Sequence, residues 1–314
     1  MNSRMPTSKV SLVIPAMNEE RNLPHVFALI PDIVDEVILV DGNSTDRTVE
    51  LAKELRPDIV VVGQTRRGKG NALACGFAAC TGDIIVAIDA DGSTDPREIP
   101  SFVDAVRDGA DFVKGTRFAL GGRSDDITTI RRAGNKVLNG IVNVLFGTRF
   151  TDLCYGYNAM RVEALAALDL PPLHVEVPEG GRVWGDGFEI ETLMNLRAAH
   201  AHLAIKEVPS IEAERLHGTS NLNAVSDGLR VLRTIIRERM RRSHPVVLPA
   251  RPELAVVAEA PFADEAPVLP VDERAATGVD LLPDLVRSEI DLTDEVIDVR
   301  EDAAVRDGLA EKLS

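Results

Sequence analysis

Ile84-Ile85-Val86-Ala87-Ile88-Asp89-Ala90-Asp91-Gly92-Ser93-Thr94-Asp95-Pro96 is the stretch on which the fold turns. Five consecutive apolar residues, four of them β-branched, read as a strand buried on both faces, and the Gly-Ser-Thr-Asp-Pro run ends it in a turn. Asp89 and Asp91 stand i, i+2 where that strand opens into its loop. Two carboxylates so placed can reach one hard cation of the Mg²⁺ or Mn²⁺ type, which takes oxygen ligands and keeps room for water and phosphate. Alone, the pattern is equally a polar strand end with solvated acids.

Outward from this strand, apolar runs and helical segments alternate. Strands are predicted at Val10–Ile14, Glu36–Val40, Ile59–Val62 and Asp83–Ile88, and helices at Glu19–Ile30, Arg47–Leu55 and Gly70–Ala79. Such alternation implies right-handed βαβ units, hence an α/β fold with a mostly parallel sheet and helices on both faces. Ligands of such sheets bind at the carboxyl ends of the strands. Each polar cluster here, Pro15–Glu19, Asp41–Asp46, Gly63–Gly70 and Asp89–Asp91, falls at one of those ends. In the second half, a strand is expected at Phe112–Lys114 and another at Ile205–Val208. Helices are expected at Arg131–Phe146, Asp186–Ala199 and Ala224–Arg242.

Composition narrows the class. The 314 residues carry a net charge of −15, but 17 of the 50 acidic and only 6 of the 35 basic residues lie from Pro245 onward. The body is therefore near neutral, without the basic footprint that nucleic-acid binding needs. The segment from 245 is acidic, rich in Pro, Ala and Val, and weakly periodic; it reads as disordered, with short helices near Ala303–Leu313. Three cysteines without C-x-x-C spacing fit core thiols in a reducing compartment. No signal peptide and no membrane-spanning run is apparent, so a cytoplasmic protein, or one peripheral on the inner membrane face, is expected. The six histidines show no ligand spacing, and Trp184 is read as a packing residue.

Gly63-Gln64-Thr65-Arg66-Arg67-Gly68-Lys69-Gly70 follows a strand and opens a helix, as a phosphate-binding loop does. Gly70 stands where that loop needs Ser or Thr for magnesium, which argues against an ATPase. The backbone amides there can still cradle a phosphate.

Taken in order, Pro15-Ala16-Met17-Asn18-Glu19-Glu20, Val40-Asp41-Gly42-Asn43-Ser44-Thr45-Asp46, Gly68-Lys69-Gly70-Asn71 and Asp89-Ala90-Asp91 resemble family 2 GT-A glycosyltransferases over about residues 8–225. Later residues resemble the polyprenyl-phosphate (dolichol-phosphate) mannosyl- and glucosyltransferase branch. These are Gly115-Thr116-Arg117, Arg131-Arg132 with Asn135, Asp152 with Gly156-Tyr157, Gly187-Phe188-Glu189-Ile190-Glu191, and Glu207-Val208-Pro209 leading to Arg215 and Gly218-Thr219-Ser220.

The resemblance implies a Rossmann-like GT-A domain (8–225), followed by a basic amphipathic helix (226–244) and the acidic tail (245–314). It implies a nucleoside-diphosphate sugar held by Pro15, Asn18, Glu19, Asp41, Ser44, Lys69 and Asp89. Asp89 and Asp91 would hold Mg²⁺ or Mn²⁺. Arg117, Arg131 and Arg215 would hold the phosphate of a polyprenyl phosphate, which is its own nucleophile. A hydroxyl acceptor would instead need a base, for which Asp152 is best placed, with Asp186 and Glu189 behind it.

Two departures from the branch stand out: no C-terminal membrane helices, and Asn221 where the branch has Lys. Membrane contact would then fall to two helices. The apolar residues Val137, Leu138, Ile141, Val144 and Leu145 of the 131–146 helix are expected to face the core. The 224–242 helix sets Leu229, Leu232, Ile236 and Met240 beside an arginine stripe, Arg230, Arg233, Arg237 and Arg241. The alternatives are a soluble GT-A enzyme acting on a small phosphorylated or protein acceptor, and a non-catalytic nucleotide-sugar-binding module.

Overall fold

The computed structural model describes residues 8–175, 183–218 and 224–241, all within one compact unit, Met1–Glu253. The tail from 245 with its expected helices at 303–313, and the Thr219-Ser220-Asn221 segment, lie outside the described residues.

In chain order the elements are β1 (Val10–Ala16), α1 (Leu23–Ala28), β2 (Glu36–Asp41), α2 (Thr48–Leu55), β3 (Val60–Gly63), α3 (Lys69–Ala79), β4 (Ile84–Ala87), α4 (Ile99–Arg107), β5 (Phe112–Thr116), β6 (Arg123–Ser124), α5 (Thr129–Phe146), β7 (Asn158–Arg161), α6 (Ala164–Leu168), α7 (Ile190–His200), β8 (Ile205–Pro209), β9 (Ile211–Glu212) and α8 (Ala224–Met240). Seven strands form one sheet in the order β3-β2-β1-β4-β7-β5-β8, and β6 pairs with β9 beside it. β1 to β4 are mutually parallel, in register Ala16↔Asp41 and Asp41↔Gly63, so their carboxyl ends share one edge. β7 runs antiparallel between β4 and β5, while β8 returns parallel to β5. This is the GT-A arrangement of a mostly parallel sheet.

Successive side chains of a strand point to opposite faces, and β1 shows the result. Val10, Leu12 and Ile14 enter one core with α1, Ala52 of α2 and α4, whereas Val13 enters the other with α3, α6 and α7. A third cluster joins α5, α7 and α8 through Val142, Leu196, Val231 and Ile235.

α5 buries only part of the face expected of it: Leu138 and Ile141 pack against the third cluster, whereas Val137, Val144 and Leu145 are turned out. On α5 the inward stripe is Asn135, Asn139 and Val142, while Ile130, Val137 and Val144 are 75%, 62% and 85% exposed. The reason is a ladder of asparagines. Asn139 Nδ2 donates to the Thr151 carbonyl (2.6 Å) and its Oδ1 accepts from Leu153 N (2.9 Å). Asn143 exchanges hydrogen bonds with the Phe150 carbonyl and amide at 2.9 and 2.8 Å. Backbone groups of the 150–153 loop would otherwise be unsatisfied, and this outweighs burying valines. On α8 the buried face is Val231, Thr234, Ile235 and Glu238, and Leu229, Ile236 and Met240 are turned out.

Candidate functional site

The loops after β1 and β2 are laced together by side-chain caps. Asn18, at φ 60°, accepts from Thr45 N (2.7 Å), and its own N–H donates to Ser44 Oγ (3.0 Å). Asp41 Oδ1 accepts from Ser44 N at 3.1 Å, and Glu19 N donates to Thr48 Oγ1 at 2.8 Å. Pro15 lies beyond the last β1–β4 pairing, Val13↔Ala87, where the sheet has opened. Pro15, Asn18, Glu19, Asp41 and Ser44 therefore stand together on the carboxyl edge.

Lys69, the first residue of α3, reaches across that edge. Its Nζ lies 2.6 Å from Asp89 Oδ1 and 3.1 Å from Glu191 Oε1. Burial alone would lower the ammonium's pKa, but the charges and hydrogen bonds of Asp89 and Glu191 outweigh it and hold the pKa above the usual lysine range. Glu191 is fixed in turn by Asn158 Nδ2 at 2.8 Å. A Cβ on Gly156 would sit 2.6 Å from Lys69 Nζ and 3.1 Å from Asp89 Oδ2, so the triad occupies the space a side chain would need.

Close approach also explains the glycines of the Gly68-Lys69-Gly70 loop. Gly70 N donates to the Asp186 carbonyl at 2.8 Å, and a Cβ on Gly70 would lie 1.8 Å from the Gly185 carbonyl oxygen. Gly68 has φ +123°, in the region that favours glycine. Asp186 itself is held in a two-pronged pair by Arg66, at 2.7 and 2.8 Å, which leaves it a structural acid.

Asp91, 8% exposed, accepts from Ser93 N (2.9 Å) and Ser93 Oγ (2.6 Å) through Oδ1, and its Oδ2 meets Arg215 Nη2 at 2.7 Å. Arg215 also lies 3.9 Å from Glu19. Burial, followed by the charges of Asp91 and Asp89, raises the Glu19 pKa against the hydrogen bond from Asn22. Carboxylate charge is thus crowded at this strand end and offset by Lys69 and Arg215. The oxygen donors of Asp89 and Asp91 fit a hard divalent cation in type. Among the described residues no group of three or more His, Cys, Asp or Glu is arranged to hold a metal ion.

A second centre lies past β5. Arg117 Nε and Nη2 grip the two oxygens of Asp152 at 2.6 and 2.9 Å, Arg117 N adds a bond at 3.1 Å, and Asn135 Nδ2 adds another at 2.9 Å. Arg117 Nη1 meets both oxygens of Glu212, at 3.0 and 2.9 Å. The guanidinium stacks 4.9 Å from the Tyr155 ring centre. Burial would raise the Asp152 pKa, but Arg117 holds it below the usual carboxylate value. Asp152 is wholly buried with four donors on it, so the geometry gives it the role of Arg117's anchor. Arg131 sits in the first turn of α5, its Nη1 3.9 Å from Asp126.

Arg117 and Arg215 are tied to one segment: β9 carries Glu212, and Ala213 N donates to the Ser93 carbonyl (2.9 Å). Glu191, Glu212 and Gly156 had not been singled out as site residues. Glu191 and Gly156 lay inside quoted motifs, whereas nothing in the sequence around Glu212 marks it.

Comparison with known proteins agrees with this geometry. A family model described as "Glycosyl transferase family 2" matches residues 11–169. The dolichol-phosphate mannosyltransferase of Pyrococcus furiosus is 30% identical over 68% of this chain, a match spanning 59% of that relative. The undecaprenyl-phosphate mannosyltransferase of Micrococcus luteus is 32% identical, covering 68% of this chain and 88% of that one. For the polyprenol monophosphomannose synthase of Mycolicibacterium smegmatis the figures are 32%, 77% and 92%. Among solved structures, glucosyl-3-phosphoglycerate synthase from Mycobacterium tuberculosis, in complex with Mn²⁺, uridine diphosphate and phosphoglyceric acid, superposes with TM-score 0.57. It is 24% identical and covers 74% of this chain and 79% of its own, a likeness of fold.

Proposed function

The chain belongs to glycosyl transferase family 2 and is a glycosyltransferase, and from that premise we propose that it moves a hexose from a nucleoside-diphosphate sugar to a polyprenyl phosphate, with inversion. The observation that carries the reading is the convergence of four strand-end loops on Lys69, Asp89, Asp91 and Arg215.

In this reading Asn18, Asp41 and Ser44 bind the nucleoside, with Pro15 and Glu19 shaping the pocket. Asp89 and Asp91 would hold Mg²⁺ or Mn²⁺, which when bound neutralises the charge growing on the departing diphosphate. Lys69 fixes Asp89 and adds positive charge beside it.

The acceptor phosphate is already ionised, so no group must take a proton from it. The saturated state of Asp152 supports this choice over a hydroxyl acceptor, which would need a carboxylate with a free lone pair. Arg117, Arg131 and Arg215 would orient the phosphate for attack at the anomeric carbon, opposite the leaving group. Arg117 is immobilised for that task between Asp152 and Glu212.

The turned-out residues of α5 and α8, interleaved with Arg233 and Arg237, support peripheral contact with an anionic membrane surface, where a lipid acceptor resides.

Thermal unfolding in Mn²⁺ with a panel of nucleoside diphosphates tests the donor half. One diphosphate at about 100 times its Kd adds about 2.7 kcal/mol of stability, and Asp91→Ala removes the gain. No rise with any of them would overturn the reading.

A further inference from the structure

A cavity of about 390 Å³ lies between the Val183–Glu189 segment and α8, lined by Val183, Trp184, Gly187, Glu189, Arg230 and Arg237. Its polar groups are incompletely matched. Glu189 is 5% exposed, and its Oε1 accepts from Gly185 N (3.1 Å) and Gly187 N (3.3 Å). The other oxygen, Oε2, is buried without a hydrogen bond. Arg230 Nε is 3.8 Å from it, too far to donate, and the same guanidinium holds Asp227 at 3.1 Å. The indole N–H of Trp184 is also buried without an acceptor. Arg237 lies 5.1 Å over the Trp184 ring, and among the described residues no carboxylate pairs with it.

Buried polar groups are nearly always satisfied, by protein, water or ligand. This cavity offers two guanidiniums and an indole N–H as donors, against a single acceptor, Glu189 Oε2. Guanidiniums match phosphate oxygens in a two-pronged geometry. Inorganic phosphate carries a P–OH that can face the Glu189 carboxylate, but on the same small anion that the two guanidiniums must hold, which brings its charge against Glu189. A phosphate ester with an adjacent hydroxyl satisfies both kinds of group, and the volume, at the lower end of small-molecule sites, exceeds what a bare phosphate fills.

We infer that this cavity is a subsite for a phosphate ester carrying a free hydroxyl, of glycerol-phosphate size, bound by Arg237 and Arg230 with the hydroxyl on Glu189. The same chemistry occurs in a free metabolite and in the headgroup of a glycerophospholipid; Leu229, Ile236 and Met240, exposed on the same helix, keep the second source in view. The segment Gly185–Gly187 forms part of this wall and also seats Gly70 beside Lys69, so the occupied cavity would brace the donor side. The inference goes beyond the proposed transfer reaction and does not depend on it.

Trp184 is the chain's one tryptophan, so its emission reads the cavity directly. The full chain is titrated with sn-glycerol 3-phosphate, with inorganic phosphate, and with vesicles of phosphatidylglycerol or of phosphatidylcholine. The expected result is a saturable change with glycerol 3-phosphate or with phosphatidylglycerol vesicles, the first identifying a free ester and the second a lipid headgroup. Inorganic phosphate, and the ester with Arg237→Gln, should bind about tenfold more weakly, equivalent to about 1.4 kcal/mol. Arg237 is exposed, so an unchanged urea midpoint verifies that the variant folds. No saturable change with either probe, or a half-saturation concentration for the ester that is the same in Arg237→Gln as in the parent chain, overturns the subsite. Stabilisation of the same sample by Mn²⁺ and a nucleoside diphosphate is read separately, so failure here and failure of the transferase reading are distinguishable.

Discussion

Asp152 and Lys69 are the residues on which the two halves of the site are anchored, and both act through ion pairs that are shielded from water. Removing one partner of a buried pair leaves the other charge uncompensated, at about 3–5 kcal/mol. Asp152→Ala is therefore expected to lower unfolding stability by about that much at pH 7, measured in urea. The pH dependence follows from the depressed pKa of Asp152. Its native pKa lies below the unfolded value, so its contribution is fully present above about 3.8 and is lost as pH falls through the native value. In Asp152→Ala the acid limb of the stability curve should be shallower than in the parent protein.

Lys69→Met should cost about as much, because Glu191 and Asp89 then face each other without their shared cation. At this scale the sequence was a good guide to residues in strand-end motifs, because strand ends converge in any parallel sheet. It was a poor guide to Glu212, which grips Arg117 from a two-residue strand with neither periodicity nor motif around it. It also left open whether Asp152 was a base or an anchor, since only the packing reveals that its lone pairs are taken.

At the scale of elements, the Gly68-Lys69-Gly70 turn packs backbone to backbone against Gly185–Gly187. Gly70→Ala would force a Cβ to within 1.8 Å of a carbonyl oxygen, so it should cost about 1–3 kcal/mol and weaken nucleotide binding by displacing Lys69. Gly63→Ala, where a Cβ meets nothing within 4 Å, is the matched control and should leave the urea midpoint within about 0.5 kcal/mol. The existence of α5 and α8 was legible from periodicity, but the orientation of α5 was legible only in part, through Leu138 and Ile141. Hydrophobic period alone put the valines of α5 inside. Asn135, Asn139 and Asn143 take that face because the 150–153 loop and Asp152 need their amides.

The exposed stripe Ile130, Val137 and Val144 repeats every seven residues along one side of α5, and exposed Leu229 and Ile236 share that spacing on α8. If these faces meet a bilayer, the protein should float with anionic vesicles. Changing Arg233 and Arg237 to Gln should weaken that association by about 1 kcal/mol per residue at low salt, whereas an unchanged flotation profile would remove the helices from the account.

For the molecule as a whole, β1 to β4 were legible, as were the later strands β5 and β8, whereas β7 was not. β1 to β4 announce themselves as apolar runs separated by helical segments. β7, by contrast, is only Asn158-Ala159-Met160-Arg161, buried throughout and without alternation, and it enters the sheet antiparallel between β4 and β5. No local pattern specifies such an insertion; it is set by β4 and β5 needing a partner between them. The insertion carries Gly156 and Asn158 to the Lys69–Asp89–Glu191 triad, and so joins the donor edge to the Arg117 centre.

The central claim is that this joined surface transfers a hexose to a lipid phosphate. Incubating the intact chain with Mn²⁺, a labelled GDP- or UDP-hexose and polyprenyl phosphate should yield label in the lipid phosphate fraction, lost with Asp91→Asn or on chelation of the metal. Absence of labelled lipid phosphate from every GDP- and UDP-hexose, with either Mg²⁺ or Mn²⁺ and with the protein folded, would contradict it.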